Sequence, residues 1–502
     1  MQLADLLEHV PVVAVQGPVA VDVTGVRYDS RRVQPGDAFF ALRGQAHDGH
    51  RYLADAVAHG AQVLVVEELP AQALPATLVQ VESARRALAG MARAFYGDPT
   101  RGMRVVGVTG TNGKTTTTYL LEAVLQAAGE APAVVGTINY RFGTAVHPAP
   151  HTTPEAPELL ARIAGFRTEG ARSLVMEVSS HALDQYRADG VSFDVAVFTN
   201  LTPEHLDYHG DMEHYFASKL RLFRELLSPA GGRAVINIDD PYGIRLAGLL
   251  PEALTCGRSA AALIRPDVLA VTLDGIHGRV ATPAGPVRLD SALLGEYNVE
   301  NLLGAIGAAV ALGLPVAAIE RGLAGAAGVP GRLERVANQT GAVALVDYAH
   351  TGDALDRVLQ ALAALKPRRI ITVFGCGGDR DPRKRPVMGE VAARRSDIAV
   401  VTSDNPRTED PLQIVAQVCQ GVARVHAREW TAAEAAAGAG RGYVVIPDRR
   451  AAIRFAVSLL RPHDVLLVAG KGHEDYQILG TTRIHFDDRE ELRAAFAEGV
   501  TA

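Results

Sequence analysis

The sequence predicts an α/β protein of three domains. A small N-terminal α/β domain is expected over residues 1–98, a central domain with a mostly parallel sheet and a phosphate-binding loop over 99–330, and a Rossmann-like domain over 331–502. Three observations predict this. A chain of 502 residues is about three domains long. Short apolar runs alternate with amphipathic stretches of helical period, the pattern of parallel strands flanked by helices. One run, Val105-Val106-Gly107-Val108-Thr109-Gly110-Thr111-Asn112-Gly113-Lys114-Thr115-Thr116, sets an apolar strand before a glycine turn, a lysine and a helix.

Taken in order, residues 21–28, 38–42 and 63–66 read as strands, and 52–59 and 84–96 as helices. Gly97-Asp98-Pro99 punctuates the chain as a linker. The central part has strands near 105–109, 173–178, 195–199 and 234–237, with a helix over 114–128. Val329-Pro330-Gly331 is a second boundary. Beyond it, strands are expected near 342–346, 370–374, 398–402 and 465–469, and an Ala-rich helix and turn over 431–442. Gly375-Cys376-Gly377-Gly378 follows a strand but lacks the third glycine of a dinucleotide fingerprint.

Composition narrows the function. The chain is 48% hydrophobic with only 5% aromatic residues, so its core is aliphatic. No apolar run approaches the roughly 20 residues of a membrane span, and the N-terminus lacks a basic signal region. Cys256, Cys376 and Cys419 form neither a metal pattern nor a disulfide framework, which suits a reducing cytoplasm. A net charge of −6 argues against nucleic acid as a partner. Anionic ligands must therefore meet local cations.

The strand–turn–helix run builds such a place. Backbone N–H groups of the turn and the helix N-terminus face an anion. Lys114 reaches terminal phosphates, and the Thr115 hydroxyl suits Mg2+. Val108 stands where the usual motif has its first glycine, which here is displaced to Gly110. Glu177, in Glu177-Val178-Ser179-Ser180-His181, ends an apolar strand, where α/β sheets collect ligands; it is a candidate metal carboxylate. In Asn200-Leu201-Thr202-Pro203-Glu204-His205-Leu206-Asp207-Tyr208-His209-Gly210, the imidazoles and Asp207 leave a metal role and a plain polar loop equally open. Lys219, in Tyr215-Phe216-Ala217-Ser218-Lys219-Leu220, reads by itself as a surface helix lysine.

These motifs, in this order and spacing, resemble the Mur ligase family, ATP-dependent amide ligases that build the peptide stem of bacterial cell wall. The likeness reaches both ends of the chain. Asp29-Ser30-Arg31 and His47-Asp48-Gly49-His50 resemble a uridine-nucleotide domain. Gly377-Gly378-Asp379-Arg380, Asp404-Asn405-Pro406-Arg407 and Gly470-Lys471-Gly472-His473-Glu474 resemble an amino-acid domain. The central motifs also fit a folylpolyglutamate-type synthetase, which should lack the uridine domain and the D-N-P-R stretch.

The resemblance implies roles residue by residue. Gly110, Thr111, Asn112, Gly113, Lys114, Thr115 and Thr116 hold ATP, with Asn301 on the adenine side and Arg332 and Asp347 added from the third domain. Thr115, Glu177, His205 and Lys219 surround two Mg2+ ions, Lys219 as a CO2-derived carbamate, with Lys114, His205 and Lys219 catalytic. Ser30, Gln45, Ala46 and His47 hold uracil and ribose. His151, Thr152, Thr153, Ser179, Gln185 and Arg187 hold the pyrophosphate, muramoyl and peptide parts. Arg380, Asp404, Asn405, Pro406, Arg407, Gly470 and Glu474 bind the amino acid. An arginine fork matches a carboxylate bidentately. That match makes meso-diaminopimelate, with its distal carboxylate, the expected amino acid, beside UDP-N-acetylmuramoyl-L-alanyl-D-glutamate. The expected enzyme is a cytoplasmic monomer.

Overall fold

A computed structural model describes residues 1–44, 47–326, 328–426, 428–437 and 440–499. The candidate residues Gln45 and Ala46 lie outside the described residues. The chain folds as two compact units. One comprises residues 1–267, 280–287 and 300–323, the other 268–279, 288–299 and 324–502. Among the described residues, no helix is long and apolar enough to cross a membrane.

The first unit holds two large sheets. The N-terminal one has the order Val12–Gln16, Thr77–Val81, Val63–Val66, Ala38–Phe40, Val26–Arg27. Its first strand is antiparallel and the rest are parallel. The expected strand over residues 21–28 shortens to Val26–Arg27. Residues 21 and 23 instead bond to the chain start, Leu3 N donating to Val21 O and Val23 N to Met1 O at 2.8 Å each. The helix Ala84–Phe95 ends where the linker is expected. Gly97 and Asp98 both take left-handed backbone, and Asp98 accepts from Arg93 Nη2 at 2.8 Å.

The second sheet has eight strands in the order Leu254–Cys256, Arg233–Asn237, Val195–Phe198, Arg104–Thr109, Ser173–Glu177, Pro132–Val135, Asn139–Phe142, Ala145–Pro148. The first six run parallel and the last two form an antiparallel meander. Val105, Val106 and Val108 are fully buried, as expected of a parallel strand covered on both faces. Arg104–Thr109 lies between strands that come later in the chain on either side. Its C-terminal end is therefore a topological switch point, where an α/β sheet opens a crevice. One continuous core joins the two sheets, running from Phe40 and Leu88 through Leu160 and Ile163 to Phe193 and Phe198.

The second unit is built on a six-stranded sheet in the order Glu334–Val336, Val343–Asp347, Val465–Ala469, Ile370–Phe374, Ile398–Val401, Gly442–Val445. All but the first strand are parallel. Alternation along the strands divides the core. Leu345, Phe374, Val401 and Leu467 face the helices Gly352–Ala364, Lys384–Arg395 and Pro411–Val422. Val346, Val373, Val400 and Leu466 face Arg449–Ser458 and Asp488–Gly499. A hairpin, Tyr476–Leu479 with Thr482–His485, follows the last parallel strand.

Candidate active site

The glycine turn leaves the central strand and enters the helix Lys114–Ala127 through Gly113, whose φ is +86°. A Cβ on Gly113 would collide with the Asn301 amide oxygen, and one on Gly110 with the Thr199 hydroxyl. The turn is thus pressed close against its neighbours, leaving Asn301 beside the cradle. Lys114 Nζ donates to Gly110 O at 2.9 Å and Thr111 O at 2.8 Å, bending its ammonium back over the turn.

Glu177 ends its strand fully buried and gathers three residues. Thr115 Oγ1 donates to Glu177 Oε2 at 3.0 Å, Thr137 Oγ1 to the same oxygen at 2.9 Å, and Thr137 N to Oε1 at 2.8 Å. Thr137 Oγ1 lies 3.1 Å from Thr152 Oγ1, and Thr153 Oγ1 donates to Glu177 O at 2.8 Å. Of the expected residues, Thr115, Glu177, Thr152 and Thr153 therefore converge. Thr137 joins them and was missed. Its signal was weak, a lone Thr in Val135-Gly136-Thr137 after a short strand.

Arg187 Nη1 donates to Thr153 O at 3.2 Å, and its guanidinium also donates to Gln185 Oε1. Ser179 caps the next helix, accepting from Ala182 N. Arg187 also pairs with Glu155 at 3.1 Å. The segments flanking Ser30 reach the helix that starts there: Tyr28 Oη donates to Glu158 Oε1 at 3.1 Å, and Arg32 pairs with Glu158. Ser30 itself is buried, whereas His47 and His151 are exposed. In the first-domain motif, Asp48 and His50 bond to each other at 2.7 Å, so that pair shapes the loop.

Lys219 is where the surface reading fails. It is fully buried on the face of Met212–Arg224 that also carries Tyr215 and Leu222. Lys219 Nζ donates to Gly110 O at 3.0 Å and lies 4.7 Å from the Tyr215 ring centroid. Burial, then the nearby Lys114, hold its pKa well below the ordinary lysine value. His205 has left-handed backbone, and its ring centroid is 4.8 Å from that of His181. His209 stacks on Tyr215 and bonds Ser180 Oγ at 3.0 Å; burial, then His181, push its pKa down to about 4. Thr115 and Glu177 offer hard oxygens, the donor chemistry of Mg2+. Among the described residues, no three His, Cys, Asp or Glu side chains converge as a cation site.

In the second unit, a cavity of about 120 Å3 is lined by Arg380, Asp404, Asn405, Arg407, Gly470 and Glu474, together with Tyr348, His350, Lys384 and Gly375-Cys376-Gly377. Every expected amino-acid residue except Pro406 lines it. Tyr348 and His350 were missed, although they adjoin Asp347 in Asp347-Tyr348-Ala349-His350. Gly377 and Gly378 let the Asp404–Arg407 loop approach, since a Cβ on Gly378 would strike Pro406 O. Arg407 takes left-handed backbone, with φ +51°, and its Nη1 donates to Gly378 O at 2.8 Å. Asn405 Nδ2 donates to Glu474 Oε2 at 3.0 Å. Burial, then Asp404, raise the Glu474 pKa. Asp347 is buried and accepts from Leu333 N and Ala349 N at 2.8 Å each, while the Arg332 guanidinium lies 5.2 Å from the Tyr348 ring centroid.

Three family models match the chain. They are the Mur ligase family catalytic domain over residues 22–96, the Mur ligase middle domain over 108–309, and the Mur ligase glutamate ligase domain over 331–472. A UDP-N-acetylmuramoyl-L-alanyl-D-glutamate–2,6-diaminopimelate ligase of Geobacter metallireducens is 52% identical over 504 residues, covering 99% of each chain. The protein of that name from Synechococcus elongatus is 46% identical over 514 residues, covering 100% of both. A solved structure under the same name matches with a TM-score of 0.75 at 32% identity, covering 100% of this chain and 99% of the other.

Proposed function

The chain belongs to the Mur ligase family, and we propose from that premise that it joins meso-2,6-diaminopimelate to the D-glutamate γ-carboxylate of UDP-N-acetylmuramoyl-L-alanyl-D-glutamate, with ATP, in peptidoglycan precursor synthesis. The observation that carries the reading is the second-unit cavity, which gathers an arginine fork and a carboxylate–carboxamide pair. Such a pocket is complementary to a zwitterionic amino acid with a further carboxylate.

The chemistry follows in two steps. The γ-carboxylate attacks the γ-phosphorus of ATP, forming an acyl phosphate and releasing ADP. The amine of diaminopimelate then attacks the acyl carbon and expels phosphate, losing a proton. The turn Gly110–Gly113 with Thr116 cradles the phosphates, and Asn301 backs the turn on the nucleotide side. Lys114 offsets the repulsion between carboxylate and phosphate in the first step. Thr115, Glu177 and His205, with Lys219 as a carbamate, are the residues that would hold Mg2+, which when bound supplies charge neutralisation at the phosphates. Burial lowers the Lys219 pKa, which favours the free amine that carbamate formation needs: that amine adds to CO2 and releases a proton. Thr152, Thr153, Ser179, Gln185 and Arg187 are assigned to the sugar-nucleotide and peptide parts, and Ser30 and His47 to the uridine. Arg332 and Asp347 are assigned to ATP.

An isotope test addresses the acyl phosphate. With 18O in the γ-carboxylate of the dipeptide nucleotide, one label should appear in the released phosphate for each amide formed. Unlabelled phosphate would contradict the mechanism.

Glu474 yields a pH prediction. Its anion accepts from the substrate ammonium, so binding weakens as pH falls through its pKa, which is raised above the ordinary 4.5. The kcat/KM for diaminopimelate reports groups of the free enzyme. It should lose an acid limb, lying above pH 4.5 in the wild type, when Glu474 becomes Gln. An identical limb in both proteins would remove Glu474 from that role.

A further inference from the structure

Lys471 is fully buried beneath the amino-acid cavity and takes no part in the chemistry above. A buried ammonium is disfavoured unless paired and hydrogen-bonded. Here Lys471 Nζ donates to Tyr476 O at 2.7 Å and Asn405 Oδ1 at 3.0 Å, and lies 3.1 Å from Asp404 Oδ1. A second buried cation, Arg449, pairs with the buried Asp488 at 2.7 Å and donates to Ala469 O at 3.0 Å. Burial alone would raise the Asp404 pKa, but Lys471 and Arg449 hold it below the ordinary carboxylate value. Asp404 is therefore an anion facing two cations. Replacing such buried pairs with apolar groups is often neutral for stability. What they fix is geometry.

Lys471 joins three pieces of chain at one nitrogen. It belongs to the Gly470–Glu474 motif, grips the Asp404–Asn405 corner, and holds the start of the Tyr476–Leu479 strand. The Asn405 carboxamide oxygen accepts from both Lys471 Nζ and Ile478 N, each at 3.0 Å, which turns Nδ2 toward Glu474. The hairpin that this strand opens carries the backbone bonds that seat Arg407: Arg407 N donates to Ile478 O at 3.1 Å, and Gly480 N, in the turn, to Arg407 O at 2.8 Å. We infer that Lys471 is a positioning residue for amino-acid selection, aiming Glu474 through Asn405 and seating Arg407 through the hairpin. The inference rests on the amino-acid reading of this cavity.

Steady-state kinetics of Lys471→Met test it. The KM for diaminopimelate should rise about tenfold or more, as loss of one member loosens a buried polar network. The KM values for ATP and the dipeptide nucleotide should stay within about twofold, because these ligands make no use of the network. Combined with Glu474→Gln, the two effects on the diaminopimelate KM should be markedly less than additive. If Lys471→Met does not fold, Lys471→Arg keeps the charge but cannot reproduce the same two donations and the ion pair from one nitrogen, and should show the same split. An unchanged diaminopimelate KM, or a parallel rise in all three, would overturn the positioning role. A wild type that shows no diaminopimelate-dependent phosphate release would instead overturn the reading of the cavity.

Discussion

Lys219→Ala should lower turnover by about 10²- to 10³-fold, the scale of losing one preorganised electrostatic contact to a reacting phosphate. The reason is the charge balance around Gly110. Lys114 Nζ and Lys219 Nζ both donate to Gly110 O, at 2.9 and 3.0 Å, and Lys219 is fully buried. Burial, which disfavours the ammonium, and then repulsion from Lys114 push the Lys219 pKa down. Carbamylation reverses the sign. The cation that Lys114 repels would be replaced by an anion that Lys114 attracts, and the site would gain a ligand of the hard-oxygen type that Mg2+ prefers. Wild-type protein in 13CO2-containing buffer should show a carbamate carbon resonance that is missing from the alanine variant. A fully active Lys219→Ala, with no such resonance in the wild type, would contradict the assignment.

Arg407→Ala should raise the KM for diaminopimelate by roughly 30-fold or more, equivalent to about 2 kcal/mol of binding. Lysine, which lacks the distal carboxylate, should be used no worse than before. It should gain slightly if the wild-type fork must otherwise be desolvated without a partner. Left-handed backbone and the bond to Gly378 O hold this side chain against the Gly377–Gly378 turn. Selectivity should thus collapse from both sides. Equal losses for both amino acids would mean that Arg407 supports the loop and does not read the substrate.

The parts legible in the sequence were those whose chemistry is local. A strand, a glycine turn and Lys114 announce a phosphate cradle within a dozen residues, and the structure places that turn at the sheet's switch point. The resemblance already put the Asp404–Arg407 and Gly470–Glu474 motifs on one amino-acid site; the physical reason they meet is the parallel order Val465–Ala469, Ile370–Phe374, Ile398–Val401, which brings the loops after the outer two strands to the same sheet end. What was hidden depends on partners distant in sequence. Lys219 looks solvent-facing by residue type, yet spacing from Tyr215 and to Leu222 sets it on the buried helix face. Thr137 carries no motif, and its role arises from Glu177, forty positions away. The meander Asn139–Phe142 and Ala145–Pro148 was missed because its strands are short and largely half-exposed, which blurs the two-residue alternation. The edge strand Val12–Gln16 shows only weak burial for the same reason.

The most direct test of the account is phosphate release from ATP with UDP-N-acetylmuramoyl-L-alanyl-D-glutamate and each of meso-diaminopimelate, lysine and ornithine supplied in turn. Release should require the dipeptide nucleotide and run far faster with meso-diaminopimelate than with either diamine lacking the distal carboxylate. Release that ignores the amino acid, or that favours lysine, would contradict it.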